Sequence, residues 1–553
     1  MKNLIKSLIV IFLLSLLFVI IGCSKDDSSS SSSTSSGFFS FFKSKSSNTN
    51  SILENNPLVK KIGYDSPIFA VWDTTNKEYK DLMKKHPTAA AANNMIESMA
   101  KNDASLKRYF DILKKIYNTD KFDFESCVSK GVFFIDELSK NSFPVAMYTQ
   151  LERKLNDKEV YNTIREFAKE NKLTYEDVNI KGNNAVSINL ADKDNVDMTV
   201  YFLVKGDGLA ISNQTNLIER YLDDKYDSNY INKLLKEDAT FSKSYKQSLK
   251  DGSVSFGFAA LVLNSKFLPE HKIQEEIAKL PVKNLVLNQA FDSDDEMLVT
   301  RVAGYYTPQT DEQKKLANIF NSANHVDAPS TLPRDTMFSL TINMNLIKSL
   351  IKEFNLEKDF EPYMYLLNMD NINLLLQGPQ ASMFPSIAII GDKVADSDKI
   401  VSDIKSTIAN TKGAIPIPLN AWQKKQISSL DTEYLMTPFG VGVFLSKNGD
   451  DLIVASGESL VSDIVSKEAI KTASDVREKF STKRNSIINI YGSSKSFARA
   501  LRSINSTLST FAKKDIPNLE ETIDLLEQTP DTVIDVFSEG NTVIGETKVV
   551  LNN

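Results

Sequence analysis

An internal repeat constrains the fold of this chain more than any other feature of its sequence. A strand-like segment followed by a helical pattern occurs at Ser142–Tyr148 and again at Met383–Ile389, and the two Phe-Pro pairs inside them lie 241 residues apart (384 − 143). Each copy is followed by two strand-like runs joined at a glycine-containing turn, Lys205–Gly208 in the first and Lys447–Asp450 in the second. Strand runs joined in this way are typical of β-hairpins.

The helices that follow the two hairpins match residue by residue. Their apolar positions are related by a constant offset of 243 residues (460 − 217 and 464 − 221) and comprise Leu217, Ile218, Tyr221 and Leu222 in the first half and Leu460, Val461, Ile464 and Val465 in the second. A steady offset over several elements indicates a duplicated domain. We therefore predict a first repeat domain at residues 55–325 and a second at 326–553, with the seam near 321–331.

Each half interleaves short alternating strands with helices. Hairpins imply antiparallel pairing, and one apolar face on each strand implies a sheet that helices cover on one side. The predicted fold class is therefore α+β, with two homologous domains that each hold a mostly antiparallel sheet covered by helices. The first domain has additional helical sequence between Asn76 and Asn118.

The amino terminus has the pattern of an export signal. Lys2 and Lys6 precede an apolar run, Leu8–Ile21, which ends at Gly22 and Cys23. A basic start, an apolar stretch and a small residue at the end are typical of secretory signal peptides. The sequence Ile20-Ile21-Gly22-Cys23 resembles the bacterial lipobox, in which the cysteine is lipidated and becomes the new amino terminus. The alternative is an uncleaved membrane helix, which needs about 20 apolar residues. We predict a signal peptide at residues 1–22 and lipidation of Cys23.

A serine-rich segment follows the predicted lipid site. Residues 23–54 include six consecutive serines, Ser28–Ser33, and such a composition is typical of a disordered tether. Lys25-Asp26-Asp27 resembles the lysine-plus-acidic signal that some bacteria with two membranes use to export lipoproteins to the cell surface. The aromatic run Phe38–Phe42 could contact the membrane headgroups or dock on the first domain, and both interpretations stay open.

The charge and the cysteine content limit the possible partners. The formal net charge is −6, and removal of Lys2 and Lys6 with the signal makes it −8 (−6 − 2). Nucleic-acid binding needs concentrated basic residues, so we expect no nucleic-acid partner. The two cysteines are Cys23 and Cys127. With Cys23 lipidated no disulfide framework is possible, and the apolar neighbours of Cys127 favour a buried thiol over a reactive one.

The sequence lacks recognisable catalytic or metal-binding motifs. Its three histidines, His86, His271 and His325, lie far apart, with no cysteine or histidine at ligand spacing. Two acidic runs, Asp192–Asp197 and Asp292–Glu296, resemble calcium loops but lack the glycine and distal glutamate of an EF-hand, so turns are favoured. We expect no catalytic residue, no metal and no cofactor.

The combination of a lipoprotein signal with a duplicated α+β body resembles families of uncharacterised bacterial lipoproteins, which imply no functional residues. Three functions fit this pattern. The first is a non-enzymatic lipoprotein, anchored to a bacterial membrane through Cys23, that presents its body to a protein, glycan or lipid partner. The second is a periplasmic carrier of a lipid or other apolar ligand, and the third is a hydrolase with an unrecognised site. We favour the first, in the outer membrane and displayed at the cell surface.

Overall fold

The chain folds into two compact units. The structure is a computed structural model that describes residues 51–75, 77, 79–80, 104–117, 128–136, 144–151, 154–190, 199–262, 282–292, 297–322, 332–333, 335–353, 355–361, 367–379, 385–410, 422–436, 442–466, 486–512, 519–528 and 531–550. Its contacts divide the chain between Thr307 and Pro308. This division precedes the boundary at residues 325 and 326 that we predict from the repeat.

The described part of the first unit contains ten strands that pair antiparallel. They are β1 (Ile68–Asp73), β2 (Val128–Ile135), β3 (Val145–Leu151), β4 (Tyr175–Ile180), β5 (Asn183–Asn189), β6 (Thr199–Lys205), β7 (Gly208–Ser212), β8 (Ser253–Val262), β9 (Asn284–Asp292) and β10 (Met297–Tyr305). Their order across the sheet is β4-β5-β6-β7-β3-β2-β1-β8-β9-β10. The first strand of the unit is therefore an interior strand of its sheet.

The second unit has ten described strands in the corresponding order. They are β11 (Thr336–Asn343), β12 (Asn371–Gln377), β13 (Ser386–Asp392), β14 (Gln423–Ile427), β15 (Leu430–Met436), β16 (Gly442–Asn448), β17 (Asp451–Ala455), β18 (Ser486–Gly492), β19 (Thr532–Glu539) and β20 (Thr542–Val550). The order is β14-β15-β16-β17-β13-β12-β11-β18-β19-β20, again antiparallel throughout.

Helices connect the strands in both units. The first unit has α1 (Ser51–Glu54), a 3-10 helix (Pro57–Lys61), α2 (Ala104–Tyr117), α3 (Asp157–Glu170), α4 (Thr215–Leu222), α5 (Tyr230–Glu237) and α6 (Ala239–Ser248). The second has α7 (Asp311–Ser322), α8 (Met344–Glu353), α9 (Glu357–Phe360), α10 (Ser397–Asn410), α11 (Glu458–Val465), α12 (Ser494–Ala512) and α13 (Leu519–Gln528). The prediction of an α+β fold with a large antiparallel sheet is confirmed.

Two equivalent hairpins show how the sequence sets the local structure. In each, a glycine starts the turn with a positive φ, +68° at Gly206 between β6 and β7 and +62° at Gly449 between β16 and β17. Glycine adopts this left-handed conformation without the steric cost of a Cβ atom. The positive φ matches the twist of the flanking strands, and the two glycines are 243 residues apart (449 − 206).

The amphipathic helix α3 shows how a helix is positioned on the sheet. Asp157 and Glu159 lie in its first turn and Lys169 in its last, where the charges favour the helix dipole. The buried side chains of α3 are Val160, Tyr161, Ile164, Phe167 and Ala168. This stripe packs against strand residues such as Phe202 and Ile211 in one core cluster.

In the first unit, the expectation that helices cover one side of the sheet is wrong. Neighbouring residues of a strand point to opposite faces, yet Val71 and Trp72 of β1 are both buried, with 0% and 4% of their surface exposed. Trp72 packs in the cluster that contains α2 and α3. Val71 packs in the cluster that contains residues of α4, α5 and α6. The longer connections of the first unit therefore supply helices to both faces of its sheet.

Candidate binding surface

Six aliphatic and aromatic side chains on three adjacent strands of the second unit form a continuous surface, which we call the apolar face. It consists of Phe338 and Leu340 of β11, Leu374 and Leu376 of β12, and Ile387 and Ile389 of β13. In the register of these strands Leu374 lies opposite both Leu340 and Ile389. Leu376 lies opposite both Phe338 and Ile387. Residues directly opposite each other in an antiparallel pair point to the same face.

The apolar face reaches the surface of the protein on β13. Ile387 is 48% exposed and Ile389 is 37% exposed, and both belong to the few large hydrophobic side chains of the described chain that are exposed. The other four residues of the apolar face are partly exposed. Single exposed apolar side chains are common, but a contiguous apolar patch indicates a surface that binds something.

The equivalent position in the first unit is covered. Met147 of β3 pairs with Ile211 of β7, as Ile389 of β13 pairs with Val454 of β17. Met147 is 6% exposed and belongs to the core cluster that includes Ile112, Leu113 and Ile116 of α2. The same place in the sheet is thus part of the core in the first unit and part of the surface in the second.

On β11 and β12 three polar side chains lie on the opposite face. Ser339, Thr341 and Asn373 alternate with the apolar residues and are almost fully buried. The side-chain amide of Asn373 donates to Oγ1 of Thr341 at 3.0 Å, and Oγ of Ser339 donates to Oδ1 of Asn373 at 3.3 Å. Because buried polar groups need partners, this network stabilises one register of β11 against β12.

Ionisable groups extend this polar face onto β18, β19 and β20. Asn489 donates to Oδ1 of Asp535, and Asp535 lies opposite Glu546, which forms an ion pair of 2.9 Å with Lys548. Burial raises the pKa of Asp535, and the charge of Glu546 raises it too, against hydrogen bonds from Asn489 and Ser486 and the charge of Lys548. These side chains are mostly satisfied within the protein, which favours a structural role.

A groove of about 700 Å³ lies between α8 and the ends of β12 and β13. We call it the lysine groove, because Lys348 and Lys352 of α8 and Lys393 after β13 line it. Its remaining lining residues are Ile351, Glu357, Leu367, Asn368, Met369, Asp370 and Ala395. The lining therefore combines an apolar floor with three cations and two carboxylates.

One side chain connects the lysine groove to the apolar face. A Cβ atom built on Gly391 would lie 2.2 Å from Sδ of Met369, so the Met369 side chain covers Gly391 on the side where its side chain would point. Residues two apart on a strand share a face, which puts Met369 on the same face as Ile389 and Ile387. Glycine at position 391 permits this close approach. Because Met369 is itself only 3% exposed, the accessible apolar path from the groove to the apolar face runs over Ile372, which is partly exposed, lies opposite Gly391 and packs against the same cluster as Met369.

The residues that the sequence singles out lie mostly outside the described part of the chain. This is so for Cys23, Cys127, the three histidines, the aromatic run Phe38–Phe42 and the acidic run Asp192–Asp197. In the second acidic run the described residue is Asp292, which ends β9 and forms an ion pair with Lys250. Asp292 thus has a structural partner within its own unit.

Two kinds of feature are absent from the described residues. No three His, Cys, Asp or Glu side chains lie together as a metal ion would require. No helix in the described ranges is both long and apolar enough to cross a membrane.

Sequence reasoning did not identify the apolar face, although the signal was present. The segments Phe338–Ile342 and Ile372–Leu376 contain apolar residues at every second position. Such alternation predicts one buried and one exposed face, and hydrophobicity alone assigns the apolar residues to the buried one. The structure instead buries Ser339, Thr341 and Asn373 on these strands.

Comparisons with known proteins leave the chain without an assigned family. No family model matches it, and no curated protein gives a significant match. Two solved structures are similar at a low level, crystal forms III and IV of TP0453. They share 8% and 9% sequence identity with this chain, cover 49% of it and 88% and 87% of their own length, and have TM-scores of 0.25 and 0.22. Similarity at these TM-scores carries no argument about this protein.

Proposed function

We propose that the chain is a non-enzymatic lipoprotein, anchored in a bacterial membrane through lipid on Cys23, that binds a partner through the apolar face of its second unit. The anchor rests on the lipobox-like sequence Ile20-Ile21-Gly22-Cys23, and display at the surface of the outer membrane rests on Lys25-Asp26-Asp27. Lipid on Cys23 would hold the body at a membrane, because two or more acyl chains anchor a protein stably.

The exposure of Ile387 and Ile389 carries the proposal of a binding role. Full burial of an aliphatic side chain of this size contributes about 1.5–3 kcal/mol. The fold leaves 48% and 37% of these two side chains in water, beside four further apolar residues that are partly exposed. Binding of a partner that covers this surface would bury these side chains and would gain hydrophobic free energy that is not gained on folding.

We further propose that the two units arose by duplication and have since diverged at this surface. The support is the shared strand order and the constant offset of 243 residues, which relates β6, β7 and α4 to β16, β17 and α11 at both of their ends. In the first unit the position equivalent to Ile389 is packed with residues of α2. Loss of the helix that covers this position of the sheet would convert a buried face of one unit into a binding surface of the other.

The second candidate function is a carrier of a lipid or other apolar ligand. The lysine groove favours it, because ligand sites commonly have volumes of about 300–1,000 Å³ and an apolar lining with a few polar groups. Its volume of about 700 Å³ meets the first condition, and Ile351, Leu367, Met369 and Ala395 form the apolar part of a lining that is otherwise polar.

A photoreactive side chain tests the proposed binding surface. Benzoylphenylalanine would replace Ile387 in the full-length lipoprotein, with Gln426 as the control position, since Gln426 is also exposed on a strand of the second unit. We expect irradiation of intact cells to give a discrete adduct from position 387 and none from position 426. The same adducts from both positions, or none from 387, would contradict the proposal.

A further inference from the structure

The apolar face and the lysine groove complement one amphipathic molecule. We propose that together they bind a long-chain fatty acid, with its acyl chain on the apolar face and its carboxylate in the lysine groove. This inference rests on the proposed function, because it takes the apolar face as the binding surface and names the chemical class of the ligand.

The apolar part of the path is long enough to hold part of an extended acyl chain. Ile387, Ile389 and Gly391 follow one another along one face of β13, and the side chain of Met369 fills the place above Gly391. At about 3.3 Å per residue this row runs for ~13 Å. Leu376 and Leu374 lie beside the row on β12. An acyl chain that passes Ile387 and Ile389 would therefore touch apolar side chains of both strands along this part of its length.

The polar end of the path has the sign of charge that a carboxylate needs. Lys348 and Lys352 are four residues apart on α8 and so lie on the same side of this helix. Lys393, which follows β13, also lines the groove. Glu357 and Asp370 also line the groove, so its net charge is +1 (3 − 2). One carboxylate neutralises this charge, whereas a doubly charged phosphate monoester would leave a net negative charge.

The separation of the two properties favours a fatty acid over a protein partner. An apolar patch on a protein partner could pack against Ile387, Ile389 and their neighbours without using the lysine groove. Cations gathered at one end of the path add recognition only for a ligand that is charged at one end. Because Lys352 and Lys393 are exposed, we expect each to contribute the modest attraction of a solvent-exposed ion pair.

Photoaffinity labelling tests the identity of the ligand. The purified full-length lipoprotein would be irradiated with palmitic acid that carries a diazirine in its chain, and in parallel with the corresponding diazirine hexadecanol. Both probes enter the detergent micelle, so the comparison removes the effect of partitioning. We expect the acid to label peptides from β11, β12 and β13 and to label them about fivefold more than the alcohol, as expected for an ion pair at a partly exposed site.

Two sets of variants separate the anion from the apolar surface. Lys348→Gln, Lys352→Gln and Lys393→Gln combined should lower labelling by the acid to the level of the alcohol. The control combines Lys399→Gln, Lys424→Gln and Lys495→Gln, which change the charge equally at positions outside the groove, and should leave labelling by the acid unchanged. Ile387→Asp and Ile389→Asp, each tested alone and checked for folding by circular dichroism, should abolish labelling by both probes.

The outcomes distinguish this inference from the proposed function. Equal labelling of the three strands by acid and alcohol, unaffected by the groove variants, would overturn the fatty-acid assignment and leave the apolar face as a binding surface. Labelling that is spread evenly over the chain, or that is unchanged by Ile387→Asp and Ile389→Asp, would show that the fatty acid does not bind at the apolar face. The proposed function would then depend on the photocrosslink from position 387.

Discussion

Asn373 donates a hydrogen bond of 3.0 Å from its side-chain amide to Oγ1 of Thr341, and neither residue has any exposed surface. The two residues lie directly opposite each other on β12 and β11. The neighbouring pair, Leu340 and Leu374, belongs to the apolar face. A shift of one residue in this register would turn the polar side chains outward and the leucines inward, so the Asn373 network keeps the apolar face available.

Asn373→Leu should destabilise the second unit by about 1–3 kcal/mol, because it leaves the buried hydroxyls of Ser339 and Thr341 without their amide partner. Since the chain has two units and need not unfold in one step, hydrogen exchange of peptides from β11 and β12 is the suitable measurement. Asn368→Leu changes the same chemical group at an exposed position and should alter exchange by less than about 0.5 kcal/mol. Equal effects of the two substitutions would show that the network contributes no stability.

Asp535→Asn should stabilise the second unit at neutral pH. Burial raises the pKa of Asp535 from its ordinary value of 3.8, so the folded state holds this proton more tightly than the unfolded state does. The resulting stabilisation is present below pH 3.8 and is lost as the pH rises from there through the raised pKa of the folded state. Asparagine keeps the hydrogen-bond acceptor for Asn489 without the buried charge.

The measurement for Asp535→Asn is the free energy of unfolding of the second unit as a function of pH, by hydrogen exchange or denaturant titration. The variant should gain stability over the natural protein above the raised pKa, and the gain should disappear towards low pH. Asp431→Asn, at an exposed position of β15, is the matched control. A loss of stability at neutral pH would show that the carboxylate is charged and favourably paired in the folded protein.

Gly131→Ala should destabilise the first unit. A Cβ atom on Gly131 would lie 2.0 Å from Cζ2 of Trp72, and this indole is 4% exposed within a packed core. A rigid ring cannot move aside without disturbing α2 and α3, so we expect a cost of about 1–3 kcal/mol. Tryptophan fluorescence in a Trp422→Phe background should report both the lower midpoint and a changed environment of Trp72.

The control for Gly131→Ala is Gly545→Ala on β20. A Cβ atom at Gly545 would meet nothing within 4 Å, so stability should stay within about 0.5 kcal/mol of the natural protein. An unchanged midpoint for Gly131→Ala would mean that the Trp72 ring can move out of its observed position.

Cys23→Ser should prevent lipid attachment and release the body from the membrane fraction. Incorporation of labelled palmitate and the distribution between membrane and soluble fractions are the measurements, and Cys127→Ser is the control. Palmitate retained in Cys23→Ser, or lost in Cys127→Ser, would contradict the predicted lipid site.

Protease treatment of intact cells should remove the body of the protein if it is displayed at the surface. Blotting before and after treatment gives the result, and lysed cells show that the protease can cleave the chain. Protection in intact cells followed by loss in lysed cells would place the body on the periplasmic face and would favour the carrier function.

Local patterns made some elements of the fold predictable. Our prediction of a hairpin with its turn at Lys205–Gly208 matches the structure, in which β6 ends at Lys205 and β7 begins at Gly208. The apolar residues Leu217 and Ile218 are buried on α4 as predicted. The effect of a turn glycine and the apolar stripe of a helix both depend on residues close in sequence, so they can be recognised from the sequence alone.

The environment of each sheet face was not predictable from such patterns. Trp72, Met147 and Ile389 are equally apolar residues on strands, and which of them is buried depends on helices that are distant in the sequence. The burial of Asn373 in place of Leu374 depends on its partners Ser339 and Thr341 on another strand. The apolar face can therefore be identified only when the register of the strands and the positions of the covering helices are known.

The strand order has a consequence for how the protein is made. β1 pairs with β2 and also with β8, where Ala70 lies opposite Ala259, which is 189 residues later in the chain (259 − 70). During synthesis this edge of β1 stays unpaired until β8 has been made, and contacts so distant in sequence slow folding. An unpaired edge strand can join other chains, so a chain that stops before β8 exposes an edge at which it can aggregate.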